Sequence, residues 1–373
     1  MTRRPVVCFL TGTLNALAGA ERVTASIASA LAARGYRIHV LSLWDEASAF
    51  PLHPAVIHSA LFRVRPSFKR QFATTVWRIR RFMAEHDIDV LVEVDPMLTL
   101  FTLPALLGSR TRRVAWEHCH FDEDLGKPAR RVARRLAART AAAVVVLTDA
   151  DRLRWRAAIR HPFQIAVIPN PLPFDLPPQI EAPTQTKKVL AVGRLVEAKG
   201  FDILLEAWAL VVREAPDWRL EILGEGPART ALEALAVQYG ISQTMSLPGE
   251  RSDVASAYRQ AGVFCLSSRY EGFGLVLLEA MAFGLPVVAS ACEAGPKALL
   301  VEGGNAVTVP PENGPALAQA LLRVIGDPDL RAQLAKGGRL TAAAHTVDQM
   351  VDQKWEPLLQ GIVTGNGAAA PTE

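Results

Sequence analysis

Short apolar runs alternate with longer stretches of helical periodicity over nearly all of the 373 residues. In the first half, Val6–Leu10, Ile38–Leu43, Val90–Val94, Arg113–Trp116 and Ala143–Leu147 predict strands. Between them, Glu21–Arg34, Phe68–Glu85, Met97–Leu107 and Lys127–Arg139 predict helices. In Glu21–Arg34 the apolar residues Val23, Ile27, Ala30 and Leu31 fall on one face, and Gly35 stops the helix. Strand–helix alternation of this kind reads as βαβ units around a parallel sheet.

The alternation breaks once. Pro169-Asn170-Pro171-Leu172-Pro173, followed by Pro177, Pro178 and Pro183, can continue neither a helix nor a central strand. It then restarts with predicted strands Val189–Val192, Leu220–Leu223, Met245–Leu247, Val263–Leu266, Val287–Ala289 and Ala306–Val309. The late helices are Gly314–Ile325 and Asp329–Ala344. The expected organisation is a Rossmann-like domain over 1–168, a Pro-rich linker over 169–185 and a second Rossmann-like domain over 186–345. A helix over 346–361, carrying Trp355, is expected to return to the first domain, ahead of a disordered tail at 362–373. The fold class is α/β, with ligands expected in a cleft at the C-terminal ends of the strands.

Composition narrows the class. Half of the residues are hydrophobic, enough for two full cores. Cys8, Cys119, Cys265 and Cys292 lie far apart, without metal-ligand spacing, and read as buried reduced thiols of a cytosolic protein. The apolar run at Val6–Leu10 is too short for a signal peptide, and no stretch reaches the ~20 apolar residues that span a bilayer. A soluble or peripheral protein is expected.

The net charge of +4 hides an asymmetry. Met1–Ile165 holds 25 Lys/Arg against 14 Asp/Glu, a net +11; the remainder holds 16 against 23, a net −7. The cations concentrate between Arg110 and Arg160. In Lys127–Arg139, Lys127, Arg131 and Arg135 share one face while Val132 and Leu136 define another. Such a helix is either solvated or docks on anionic lipid headgroups at the inner face of a membrane. Nucleic acid is disfavoured, because the second half is acidic and no recognition motif occurs.

Four segments carry candidate chemistry. The first, Ser267–Ala280, follows a strand and opens a helix. There Gly272 and Gly274 free backbone N–H groups at a helix start, where anions bind. Glu271 in the turn is placed to reach a sugar, and Glu279, about two turns into the helix, a ribose. The alternative is a loop glycine pair with two solvated glutamates. In the second, Gly193–Gly200, Arg194 and Lys199 follow a strand end and can neutralise a diphosphate leaving group; a solvated basic loop is the alternative. The third is Gly19-Ala20-Glu21-Arg22-Val23, a phosphate approach or an ordinary βα turn. The fourth is Trp116-Glu117-His118 at a strand end, where His118 is structural or functional. Asp87-Ile88-Asp89 precedes its strand rather than following it, so no metal site is expected.

Together, AGAERV, WEH, PNP, VGRLVEAKG, ILGEGP and SSRYEGFGLVLLEAMAFGLPVVAS resemble the family 4 retaining glycosyltransferases of the GT-B fold, two Rossmann-like domains facing a central cleft. The resemblance implies transfer of a hexose from a nucleotide-diphosphate sugar, without metal or other cofactor. It assigns Arg194 and Lys199 to the donor diphosphate and Glu279 to the ribose. Glu271, with the backbone amides of Phe273 and Gly274, would orient the sugar, and Gly272 and Leu275 would belong to the same donor site. The turn at Gly224 and Glu225 would border the nucleobase; Gly19 and Gly193 would lie near the phosphates, and His118 near the reacting carbon. The WEH form is similar to relatives that use UDP-hexoses in surface-polysaccharide assembly, with a glycan or polyprenyl-diphosphate-linked acceptor.

Three departures stand out: Ala18-Gly19-Ala20 in place of the usual glycine pair, Ser290-Ala291-Cys292 where relatives often carry an aspartate, and Ala306 where a glycine is usual. Two alternatives share the architecture, a nucleotide-sugar 2-epimerase and a non-catalytic sugar-binding protein. A dehydrogenase is disfavoured, since no GxGxxG follows the first strand.

Overall fold

The computed structural model describes residues 3–124, 126–178, 186–251, 253–292 and 295–365. Residues 179–185 of the expected linker, including Pro183, and 366–373 of the expected tail lie outside them. The chain divides into two compact units, Met1–Phe174 with Val347–Glu373, and Asp175–Thr346.

In the first unit, β1 (Val6–Thr11), α1 (Gly19–Ala33), β2 (Arg37–Trp44), β3 (Ile57–Phe62), α2 (Phe72–Glu85) and β4 (Val90–Glu93) come first. After a 3-10 turn at Pro96–Leu98 follow α3 (Thr99–Ala105), β5 (Arg112–Trp116), α4 (Ala129–Thr140), β6 (Ala143–Val146), α5 (Asp149–Ala158) and β7 (Ile165–Val167). All seven strands are parallel, in the order β3-β2-β1-β4-β5-β6-β7. Residues of β1 are buried on both sides; Val7 pairs with Ile38 in β2 and with Val90 in β4. The strand order reverses between β1 and β4, which opens a crevice at their C-terminal ends.

The apolar pattern does not predict β3, β7 or α5. β3 (IHSALF) lies at the sheet edge with its residues half-buried, so it shows no apolar run. β7 is only three residues long. Half of α5 is polar; Thr148 caps it by accepting from Asp151 N at 3.1 Å, and Trp155 is its one large apolar side chain that is buried.

Lys127, Arg131 and Arg135 are exposed, but helix α4 turns two of the other cations of the basic segment inward. Its inward face is Arg130, Ala133, Arg134, Ala137 and Ala138, whereas Val132 is 50% exposed. Arg130 and Arg134 are buried because they answer acidic groups inside the unit, so they are not surface cations available to a membrane.

The end of the chain belongs to this unit. α13 (Val347–Met350) leads through a π-type turn, Val351–Trp355, into α14 (Glu356–Thr364). Trp355 is fully buried, its ring 4.7 Å from Trp116 and 6.2 Å from Phe9. Arg34 at the end of α1 binds Asp348 and Asp352, each at 2.7 Å.

The second unit contains β8 (Lys188–Val192), α6 (Phe201–Glu214), β9 (Arg219–Leu223), α7 (Arg229–Gln238), β10 (Met245–Gly249) and α8 (Val254–Arg259). It continues with β11 (Val263–Leu266), α9 (Leu275–Ala282), β12 (Val287–Ser290), α10 (Gly295–Leu299), β13 (Ala306–Val309), α11 (Gly314–Gly326) and α12 (Pro328–Ala343). Its sheet is also parallel, ordered β10-β9-β8-β11-β12-β13, and reverses between β8 and β11. Leu204, Trp208 and Val211 of α6 share a core with Leu317, Leu321 and Val324 of α11. Among the described residues, no helix is long and apolar enough to cross a membrane.

Candidate active site

In the second unit the two loops at the strand-order reversal are fastened to each other. The loop after β8 carries Arg194 and Lys199; the loop after β11 carries Ser267 to Gly274. Ser267 Oγ donates to Lys199 O at 2.9 Å and Arg269 N to Ala198 O at 2.8 Å. Gly200 has φ +59, and a Cβ there would stand 2.2 Å from Ser267 O, so a larger residue would part the loops. Arg269 adds a bidentate pair to Asp202 at 2.7 and 2.8 Å, whose hydrogen bonds hold that carboxyl below its ordinary range. Neither Arg269 nor Asp202 was singled out from sequence.

This stitching brings Lys199 and Glu271 together. Lys199 Nζ donates to Glu271 Oε1, which also accepts from Ser268 Oγ at 2.9 Å. The carboxylate is thereby aimed while the ammonium stays partly solvated. Arg194 is exposed, and its side chain makes no hydrogen bond or ion pair among the described residues. Gly193 lies against Lys199: a Cβ there would be 3.2 Å from its Cε. Phe273 is buried, and Gly274 precedes Leu275 at the start of α9. Cys292, where relatives often have an aspartate, donates its thiol to Ser268 O at 2.9 Å; burial pushes that thiol up to about 12.

Two other expected site residues are held by protein partners. Glu279 is only 5% exposed and accepts from the Tyr258 hydroxyl at 2.9 Å, with Tyr258 stacked on Phe283. It is therefore an enclosed, oriented carboxylate; Tyr258 lies 21 residues away and gives no local signal. Glu225 pairs with Arg229, whose hydrogen bonds lower its carboxyl, and Arg229 also reaches Glu233 at 3.1 Å. The Gly224 turn is laid on the loop after β8. A Cβ at Gly224 would sit 1.9 Å from Gly193 O, while Leu195 N donates to Glu225 O at 2.8 Å.

In the first unit the loops after β1, β4 and β5 meet the same physical problem with other residues. Gly19 begins α1 and is exposed; Glu21 sits in its first turn, its carboxyl raised by burial and by Asp95. Asp95 follows β4 and takes Arg130 bidentately at 2.7 and 2.9 Å, as well as Met97 N at 2.8 Å. Glu117 is fully enclosed. It accepts from Arg134 Nε at 2.6 Å, Cys119 N at 3.0 Å and Arg130 at 3.4 Å. Arg134 further donates to the carbonyls of His120 at 3.1 Å and Glu123 at 3.0 Å. Burial raises the Glu117 carboxyl, and the two guanidiniums oppose that rise.

This network anchors the chain on both sides of His118. The imidazole lies 4.3 Å from the Trp116 ring, with both ring nitrogens enclosed and without a hydrogen-bond partner among the described residues. Burial lowers it to about 4, so the ring is neutral at pH 7 and carries one donor and one acceptor. Asp95 and Arg130 were missed as a site; the acid at a strand end in Val94-Asp95-Pro96 was the available signal.

Comparison with known proteins agrees with this arrangement. Residues 174–341 match the model for glycosyl transferases group 1, and residues 17–176 match that for glycosyltransferase family 4. The chain is 30% identical over 342 residues to an uncharacterized glycosyltransferase of Haemophilus influenzae, covering 91% of this chain and 96% of that one. It is 27% identical over 329 residues to the lipopolysaccharide core biosynthesis glycosyltransferase LpsD of Rhizobium meliloti, covering 87% and 89%. In structure it is similar to Anabaena HepE, crystallised in complex with UDP-glucose, at a TM-score of 0.80 and 21% identity over 96% of this chain and 100% of that one. Two parallel Rossmann-like sheets with these loops, together with the matches to both halves, show that the chain belongs to the family 4 glycosyltransferases of the GT-B fold.

Proposed function

We propose that this glycosyltransferase moves a hexose from a UDP-sugar to a cell-envelope glycan or lipid-linked acceptor, with retention and without a metal. The observation that carries the donor half is the Lys199–Glu271 pair at the strand reversal of the second sheet, beside the unpaired Arg194. Two cations there would take the charge that develops on the leaving diphosphate. Glu271, already aimed, would hold sugar hydroxyls, and the enclosed Glu279 would accept from the ribose once Tyr258 yields. The bond from the anomeric carbon to the diphosphate oxygen breaks as a bond to the acceptor oxygen forms on the same face. The acceptor's hydroxyl proton passes to the departing phosphate oxygen. The neutral His118 imidazole would hydrogen-bond the transferred hexose. UDP is favoured by the WEH segment and by the UDP-glucose bound to HepE, and an envelope acceptor by the role named for LpsD. A thermal-shift screen of nucleotide sugars tests the reading: a donor at 100 times its dissociation constant adds ~2.7 kcal/mol. Stabilisation by UDP-hexoses, retained in EDTA, supports it; stabilisation by none of the nucleotide sugars contradicts it.

A further inference from the structure

The long basic stretch that follows β3 plays no part in the reading so far. From Arg63 to Ala84 the chain carries seven cations, Arg63, Arg65, Lys69, Arg70, Arg78, Arg80 and Arg81, and no carboxylate. Elsewhere in the first unit several cations meet acids: Arg3 meets Asp89, Arg34 meets Asp348 and Asp352, Arg131 meets Asp124 and Arg152 meets Asp149, while the exposed Arg135 and Arg139 of α4 form no ion pair among the described residues. Arg63, Arg65, Lys69 and Arg70 form no ion pair among the described residues.

Part of this stretch lines a cavity of about 530 Å³, a volume within the range of small-molecule sites. Arg63, Arg65 and Arg78 face it with Gln71, and Glu46 is the one carboxylate of its lining. The walls are held. Arg78 donates to Leu61 O and covers the Phe62 ring at 4.4 Å. Arg65 lies over Trp44 at 5.3 Å, and Phe68 is wedged between Trp44 and Phe101 at 6.1 and 5.4 Å. Three guanidiniums against one carboxylate leave a surplus of two positive charges. A single carboxylate ligand would balance half of it, whereas a phosphate monoester carries about 1.5 to 2 negative charges. The planar fork of arginine also suits phosphate oxygens.

The cavity lies at the C-terminal end of β3, the same edge of the sheet as the loops after β1, β4 and β5. Trp44, beneath Arg65, also lies against the end of β1: its ring would be 3.1 Å from a Cβ on Gly12. β3 stands four strands from β5, on the order of 19 Å at ordinary strand spacing, so its occupant is remote from the atoms near His118.

We propose that this pocket binds a phosphate or diphosphate group, and that, within the transferase reading above, this group belongs to the acceptor at a point distant from the reacting hydroxyl. The test is residue-resolved modification of arginine by phenylglyoxal, followed by peptide mass spectrometry on the full chain. Inorganic pyrophosphate at about ten times its dissociation constant should slow modification of Arg63 and Arg65 about tenfold, with Arg131 and Arg135 unchanged. Sodium chloride of equal ionic strength and galacturonate should not do so. Protection by phosphatidylglycerol vesicles and not by pyrophosphate also supports the site, and assigns the phosphate to a lipid headgroup. Protection no greater than that given by sodium chloride, or equal protection by galacturonate, overturns it. The double variant Arg63→Gln/Arg65→Gln should lose the pyrophosphate protection of Arg78 while its stabilisation by UDP is unchanged. If UDP fails to stabilise even the wild-type chain, the donor reading falls while the pocket result stands on its own.

Discussion

Lys199 and Arg194 are two cations in different states: one already paired with Glu271, the other open to solvent. On the proposed donor reading, removing either would take charge from the diphosphate, so Arg194→Ala or Lys199→Ala should cost ~2–4 kcal/mol of transition-state stabilisation, roughly a 100- to 1000-fold loss of turnover. Steady-state rates beside an unchanged melting temperature check this, and near-wild-type turnover of both variants contradicts it. His39 behaves differently. It is fully enclosed between Phe82 and His86, both ring nitrogens lack hydrogen-bond partners among the described residues, and burial with the nearby His86 and Arg37 lowers it to about 4. The fold holds it neutral while the unfolded chain takes a proton near pH 6.5. Stability is therefore full above about pH 6.5 and is lost as pH falls toward 4, by on the order of 3 kcal/mol. His118, lowered to about 4 in the same way, adds to the slope. Denaturant midpoints at pH 7 and pH 5 measure the loss, and His39→Phe should flatten part of it; an unaltered slope in that variant would remove His39 from the account.

Among elements, α4 separates what a pattern of charges reveals from what it conceals. Its arginines are plain in the sequence, but their partners, Asp95 and Glu117, lie 35 and 17 residues from the groups they bind, and no local spacing announces them. Arg130→Ala or Arg134→Ala strands a buried carboxylate and should cost ~3–5 kcal/mol, whereas Arg131→Ala and Arg135→Ala should stay within about 0.5 kcal/mol. Equilibrium unfolding of the four variants decides; equal effects would mean that the buried network is not holding the loop around His118. The same contrast runs through both sheets. Central strands such as β1 and β11 are legible because burial on both faces demands a continuous apolar run. Edge strand β3 and the three-residue β7 escape because their residues answer to solvent as much as to the core. The loops of the second unit were legible as motifs, since glycine and charge at a strand end have few other uses, but Arg269 and Tyr258 act only through contacts made after folding.

At the scale of the whole molecule, the two units repeat one plan. Each parallel sheet reverses its strand order beside its first strand and gathers polar side chains in the loops there. The second unit offers cations and an aimed glutamate; the first offers a neutral imidazole held by a buried ion network and, at the sheet edge, an arginine pocket. That division of chemistry is what a transferase with separate donor and acceptor sides requires. Its central claim is that protein cations, rather than a metal, hold the donor's diphosphate. Calorimetric titration of UDP into the wild-type chain and into Lys199→Ala, both in EDTA, tests it most directly. The account predicts binding by the wild type in the chelator and roughly 100- to 1000-fold weaker binding by the variant. Binding that vanishes in EDTA and returns with a divalent metal, or equal affinity of the two chains, would contradict it.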